Sequence, residues 1–353
     1  MQNVSAMPRR RVSPPPFDAG SFLPRSWYDA LIDLRVHRPG AAQEEAEARV
    51  RRPVLAPHGR LLVLAADHPA RMVTAAGSDG VQMGNRRELL ARVLRVITTP
   101  GVDGLMATPD VVEEVLMLSH LARRHADHGW LDGKIMIGCM NRGGLARTVF
   151  ELDDRMTAFT PEGLARLKCD GAKLMFRIDP QDAASVRTLE RCAREVDDCH
   201  ARGLTVFLEA MLVERVAGGY RSRTDPESLI RVAGIAAGIG TSSAGTWLKL
   251  PYGPHYDRVA AATTLPILML GGEVRQDARG LLEEFASGMA AGSNVRGALV
   301  GRNVSFATAE DPRAVAAAAS AVVHRGGRRA EIQTVLEAER GRELDLITGL
   351  GDP

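Results

Sequence analysis

LLVLAADHP (61–69) is the stretch on which the fold turns. Its near-continuous apolar run reads as a strand covered on both faces, as in a parallel sheet flanked by helices. The turn at the end of the run chooses the architecture. A doubly wound dinucleotide fold places a GxGxxG turn after its first strand. Here the turn is Asp67-His68-Pro69, which carries a carboxylate where that fold needs glycine.

Outward from this stretch the pattern repeats. GLMAT (104–108), KIMIGCM (134–140), AKLMFRI (172–178), LTVFLEAML (204–212), TWLKLP (246–251), PILMLGG (266–272) and GALVGRN (297–303) are further short apolar runs. Between them lie amphipathic stretches such as 85–97, 110–125, 182–203 and 277–292. Eight βα units over about 260 residues predict a (β/α)₈ TIM barrel. The barrel is expected over residues 55–325. It is preceded by a partly helical extension (1–54) and followed by a charged helical tail (326–353). Within the extension, residues 1–25 read as a loose Pro- and Arg-rich tail. Residues 26–52 read as helix, with Trp27, Leu31 and Leu34 on one face, serving as a lid or a plug at one end of the barrel.

Composition excludes several classes of function. The 45 basic and 43 acidic residues are interspersed, so there is no stripe for nucleic acid and no membrane patch. Aromatic residues make up 4% of the chain, too few for a base-stacking platform. No secretory signal and no membrane-length apolar stretch is legible, and a cytoplasmic protein is expected. Cys139, Cys169, Cys192 and Cys199 form no CxxC pair and read as small buried hydrophobes. Met136, Met140, Met175, Met211 and Met269 likewise read as core. No cofactor is called for. A homo-oligomer is expected.

Catalytic groups of such barrels come from the C-terminal ends of the strands. Asp67 ends the first run, and period-two geometry sorts the others. Lys173, Met175 and Arg177 share one face of the fourth strand. Phe207, Glu209 and Met211 share one face of the fifth, and Trp247, Lys249 and Pro251 one face of the sixth. If these faces point inward, two lysines and a glutamate address one volume. Burying such charges singly costs several kcal/mol each. The plain alternative is an ion network that only fills the barrel.

A lysine amine attacks carbonyls when neutral. Desolvation and a neighbouring cation both favour that form. Lys249 lies on an apolar strand, and Lys173 can supply the second positive charge. Glu209 can move protons as a carbinolamine forms and collapses. Asp67 can hold, or take the proton from, the hydroxyl whose carbon–carbon bond breaks. Gly271-Gly272 and Gly301-Arg302-Asn303 follow the last two strands, the usual phosphate site of these barrels. Arg177 is a candidate anion anchor, with an ion pair to Asp179 or Asp182 as the alternative.

This pattern resembles the class I, Schiff-base aldolase superfamily. The matching residues are Asp67, Lys173, Glu209, Lys249, Gly271 with Gly272, and Gly301 with Arg302. The tagatose-bisphosphate and sulfofructose-phosphate aldolases resemble it through the Lys–Glu pairing, and the archaeal-type fructose-bisphosphate aldolases belong to the same group. The chain as a whole is more similar to an actinobacterial (β/α)₈ family that accompanies inositol-catabolism genes. That resemblance implies cleavage of 2-deoxy-5-keto-gluconate 6-phosphate to dihydroxyacetone phosphate and malonate semialdehyde. The sequence departs from many relatives at Pro69, where they have glycine after the histidine, and in its longer N-terminal extension. A thiolase-like acyl transferase and a non-catalytic sugar-phosphate-binding barrel are the competing readings.

Two histidine-containing segments are weighed against a metal. His125, Asp127 and His128 fall at the end of the helix after the second strand, at the bottom of a barrel. His255 follows the sixth strand. No three ligands assemble at strand ends, so no metal site is expected. His68 is better placed, beside Asp67, as a substrate contact or a bystander.

Overall fold

The computed structural model describes residues 17–127, 129–271, 278–307, 310–327 and 329–353. Each of the eight apolar runs overlaps a strand: β1 (Leu61–Ala65), β2 (Gly104–Ala107), β3 (Ile135–Cys139), β4 (Gly171–Ile178), β5 (Thr205–Val216), β6 (Thr246–Pro251), β7 (Ile267–Leu270) and β8 (Val295–Val300). Neighbours pair in parallel in the order β4-β3-β2-β1-β8-β7-β6-β5, and β4 pairs with β5. The sheet is therefore a closed eight-stranded barrel, a (β/α)₈ TIM fold.

Alternation along the strands separates two apolar layers. Leu61, Val63 and Ala65 of β1 point inward to meet Ile137, Phe207, Leu268 and Leu299. Leu62 and Leu64 point outward into the layer beneath the helices. At the one register shift between β7 and β8, Gly297 has φ +139, and a Cβ there would meet the Leu61 carbonyl oxygen at 1.9 Å. Only glycine fits that crossing.

The described part of the extension is three helices rather than one: the short Ala19–Phe22, then Arg25–His37 and Ala41–Ala48, the last two broken at Arg38-Pro39-Gly40. The first lies in the stretch expected as a loose tail and is held there because Phe22 and the following Leu23 are buried in the core. Proline removes the amide that would continue the helix ending at His37. Trp27 and Leu31 are buried as expected, and Leu34 packs partly against the core. Residues 49–52 are not helical. They grip the N-terminal ends of the strands instead. Arg49 and Arg51 both pair with Asp170 (3.0 and 2.9 Å), and Arg52 pairs with Asp103 at 2.8 Å. Leu55 and Ala56 then close the inner layer from below. Residues 49–56 are thus a plug at the bottom, while the described helices of the extension pack on the outer wall, against the helices Arg86–Ile97 and Pro109–Ala126.

The C-terminal helix Arg329–Glu339 packs on helix Pro312–Arg325. Two buried arginines tie this region down. Arg95 meets Asp311 with two hydrogen bonds, at 3.0 and 2.6 Å, and Arg313 meets Glu339 and Glu343. Asp311 also accepts from the amides of Arg313 and Gly341. Removing one partner of a buried pair strands the other charge, which costs about 3–5 kcal/mol. Asp311→Ala is expected to lower the unfolding free energy by that amount in urea titration. A loss under about 1 kcal/mol would show that Arg95 reaches water once released.

A short strand, Gly219–Ser222, lies outside the eight expected runs. It pairs antiparallel with the far end of β5 to form a hairpin that stands above the barrel mouth. Among the described residues no helix is long and apolar enough to cross a membrane.

Candidate active site

The inward faces of β4, β5 and β6 deliver the predicted charges to one place. Register puts Glu209 directly beside Lys249, and Met175 beside Glu209. Lys173 Nζ lies 3.0 Å from Asp67 Oδ2 and 2.8 Å from Glu209 Oε2. Lys249 Nζ lies 2.8 Å from the same Glu209 oxygen. That oxygen has no well-formed hydrogen bond, so both amines approach it at ion-pair distance but off the bonding direction. Asp67, Lys173, Glu209 and Lys249 form one chain of alternating charge. Lys173 is fully buried, while Asp67, Glu209 and Lys249 expose 4%, 7% and 5% of their surface.

This geometry distinguishes the two lysines. Burial opposes the Lys173 ammonium, but Asp67 and Glu209 outweigh it and raise its pKa above the ordinary lysine value. Lys173 is a fixed cation. Burial also opposes charge on Glu209, yet Lys173 and then Lys249 hold its carboxyl down to about 2. Asp67 behaves in the same way: burial is outweighed by Lys173, then by His68 and Lys249, and the carboxyl stays well below the usual carboxylate range. Lys249 has one carboxylate, which it shares, while Lys173 has two. Below the lysines, Cys139 pairs in register with Lys173, and burial pushes its thiol pKa far up, so it is an inert floor.

Other predicted residues fall elsewhere. Gly271 and Gly301 follow β7 and β8 and are joined by Asn303, whose side-chain amide donates to the Gly271 carbonyl at 2.5 Å. Arg302 reaches across to the Ala75 carbonyl in the loop after β1. Gly272 lies outside the described residues. Arg177 does not join this group. It sits on β4, which is on the opposite side of the barrel from β8. Its guanidinium pairs with Glu151 and donates to the carbonyls of Gly144 and Glu151 at 2.7 and 2.6 Å. The expected anion anchor is thus consumed by the loop after β3. The partner is Glu151, not Asp179 or Asp182, because that loop folds back over the strand end.

Arg71, which carried no signal in the sequence, completes this second network. It is buried, pairs with Asp154 at 3.0 Å and donates to the Asn141 carbonyl. Asn141 in turn accepts from the Met175 amide and donates to its carbonyl, fastening the loop to β4. His125 stacks near Trp27 at a helix end remote from the lysines, His128 lies outside the described residues, and His255 is exposed. Among the described residues no three His, Cys, Asp or Glu side chains cluster as a metal site.

Comparison with known proteins supplies the family. The Cgl0159-like family model matches residues 59–322. The chain belongs to the Cgl0159-like family. The crystal structure of Cgl0159 from Corynebacterium glutamicum is 35% identical, with a TM-score of 0.80 over 86% of this chain and 98% of that one. More distant structures share the fold. An archaeal fructose 1,6-bisphosphate aldolase is 20% identical with a TM-score of 0.54, covering 81% of this chain and all of that one, at 100%. A fructose-bisphosphate aldolase from Slackia heliotrinireducens is 13% identical with a TM-score of 0.57, covering 92% and 95%. None of the curated proteins matches. For this Cgl0159-like chain, the matched region spans all eight strands and therefore every residue of the charge chain.

Proposed function

We propose that this protein is a class I aldolase, a carbon–carbon lyase that forms a Schiff base on Lys249. One observation carries the reading. Two lysines share a single glutamate oxygen inside the buried mouth of the barrel, and the second lysine also pairs with Asp67. Two lysines and two carboxylates balance in number, so charge count alone does not set this site apart from a structural ion network; its place at the C-terminal ends of the strands, where barrel enzymes carry their catalytic groups, supports the reading, as does the single shared oxygen left to Lys249. The distant structures that share the fold are named as aldolases, which agrees with this reading.

Glu209 takes a proton from Lys249, 2.8 Å away, and the freed amine adds to the substrate carbonyl to form a carbon–nitrogen bond. Glu209, in contact with the same nitrogen, carries the proton that lets the carbinolamine expel water as the iminium forms. Asp67 orients the hydroxyl on the β carbon, two carbons from the iminium carbon. As that hydroxyl loses its proton, the bond between the α and β carbons breaks, the β carbon leaves as the aldehyde, and the electron pair of the broken bond moves into the iminium to give an enamine. Protonation of the enamine carbon and addition of water release the second product and restore the amine. Lys173 keeps its proton throughout and fixes both carboxylates.

The substrate class is a phosphorylated keto-sugar or keto-sugar acid, with its phosphate at the Gly271 and Gly301-Arg302 loops. The first compound to assay is 2-deoxy-5-keto-gluconate 6-phosphate. Its cleavage would give dihydroxyacetone phosphate and malonate semialdehyde, as in inositol catabolism. Incubation with dihydroxyacetone phosphate followed by borohydride should leave a mass adduct on Lys249, with or without EDTA. No adduct with any ketose phosphate would favour the non-catalytic binding reading. Glu209→Gln should still form an adduct but turn over roughly 10²-fold more slowly, as loss of a general acid–base group does. Unchanged turnover in that variant would remove Glu209 from the proton path.

A further inference from the structure

His68 stands beside the charge chain without belonging to it. Its ring occupies the space in front of Gly301: a Cβ at position 301 would lie 2.9 Å from His68 Cε1 and 3.3 Å from Nε2. At the other edge of the ring, Nδ1 is 3.9 Å from Asp67 Oδ1, beyond hydrogen-bond reach. Nδ1 is buried and has no hydrogen-bond partner among the described residues. Such a nitrogen costs roughly 1–3 kcal/mol. The imidazole therefore spans the gap between the carboxylate end of the site and the Gly301 turn, with one nitrogen unsatisfied.

The charges around the ring explain its state. Burial pushes the imidazole down to about 4; Asp67 and Glu209 favour its protonation, while Arg302 and Lys249 oppose it. The ring is neutral near pH 7. A dianion at the Gly301-Arg302 turn would reverse this balance, because it offsets Arg302 and adds a negative charge beside Nε2.

We propose that His68 is a ligand-binding, specificity-determining residue that takes one proton from solvent when a phosphomonoester occupies the Gly301-Arg302 turn. Nε2–H then donates to the phosphate, and Nδ1–H faces the Asp67 carboxylate at ion-pair distance. The inference rests on reading that turn as the phosphate site. It deepens that reading by making selection for a dianion depend on a proton. The alternative is a packing role, in which His68 fills the space before Gly301 and its protonation ignores the ligand. The sign is fixed by the free state. Binding takes up a proton at any pH between the free and bound values, and affinity for the dianion falls as pH rises above the bound value.

The test uses the full chain and sn-glycerol 3-phosphate, which has no carbonyl and reports nothing about Lys249. Calorimetry at about pH 7.5, where phosphomonoesters are mostly dianionic, is run in buffers of different ionisation enthalpy. The expected result is net proton uptake approaching one per site, with the imidazolium signature in ¹⁵N-histidine spectra of the unmodified protein. His68→Gln keeps a comparable side-chain size. It should bind roughly tenfold or more weakly, the loss of a charge-assisted hydrogen bond, and without proton uptake. No binding of glycerol 3-phosphate, no proton uptake by the unmodified protein, or undiminished uptake in His68→Gln overturns the proposal. Borohydride trapping is a separate arm. Proton uptake without any trapped adduct upholds His68 and retires the Schiff-base reading.

Discussion

Lys249→Met is expected to abolish borohydride trapping and to lower turnover roughly 10⁵-fold or more, the scale seen when a covalent nucleophile is removed. The fold should survive. Glu209 keeps Lys173 at 2.8 Å when Lys249 is gone, and Lys173 keeps Asp67 at 3.0 Å, so no carboxylate is left without a cation. The stability change should stay within the ~0.5–3 kcal/mol of ordinary substitutions. Methionine preserves the length of the stem between Trp247 and Pro251 and removes only the amine. Intact-mass analysis after reduction, peptide mapping and a coupled assay make the measurement. An adduct that persists in the variant and maps to Lys173 would invert the roles assigned to the two lysines. Retained turnover with no adduct would end the covalent mechanism altogether.

The charge chain is legible in the sequence because strands make a simple promise. Side chains two apart share a face, and Lys173, Glu209 and Lys249 each lie at an inward position of an otherwise apolar run. Closing the barrel then needs only correct register, and β5 and β6 place Glu209 beside Lys249. The promise ends where the strand ends. His68 follows Asp67 in helical backbone geometry, φ −59 and ψ −48, so alternation says nothing of its direction. Arg71 lies on the short 3₁₀ turn Pro69–Arg71 and finds Asp154, far along the chain, through an irregular loop. The partner of Arg177 escapes the sequence for the same reason. Asp179 and Asp182 are near in sequence, but Glu151 arrives from the loop after β3. Two further features do leave a local signal. Gly218-Gly219 between β-prone residues marks the hairpin on β5. Pro39-Gly40 marks the break in the N-terminal helix. The choice between lid and plug needs the ion pairs of Arg49, Arg51 and Arg52, which depend on where Asp103 and Asp170 end up in three dimensions.

Lys173→Met should give the opposite signature to the change at Lys249: a large loss of stability. Lys173 is the cation that Asp67 and Glu209 have in common. Removing it leaves two buried carboxylates with Lys249 on one of them and His68 beside the other. An uncompensated buried charge costs about 3–5 kcal/mol, so the variant should unfold at clearly lower urea. The pH dependence identifies the cause. In the unmodified protein both carboxyl pKa values are depressed, Glu209 to about 2. Their contribution to stability is therefore complete above the unfolded value of about 4 and is lost only as pH falls through the depressed folded values. In the variant, burial acts on Asp67 without its main counter-charge, and its folded pKa moves above the unfolded one. Its penalty is then full at neutral pH and relieved as acid protonates it. The stability gap between the two proteins should narrow steadily as pH falls from about 7 toward about 4. A gap independent of pH would mean that Lys173 contributes packing rather than charge, and the neutral-amine mechanism at Lys249 would lose the fixed cation on which it depends.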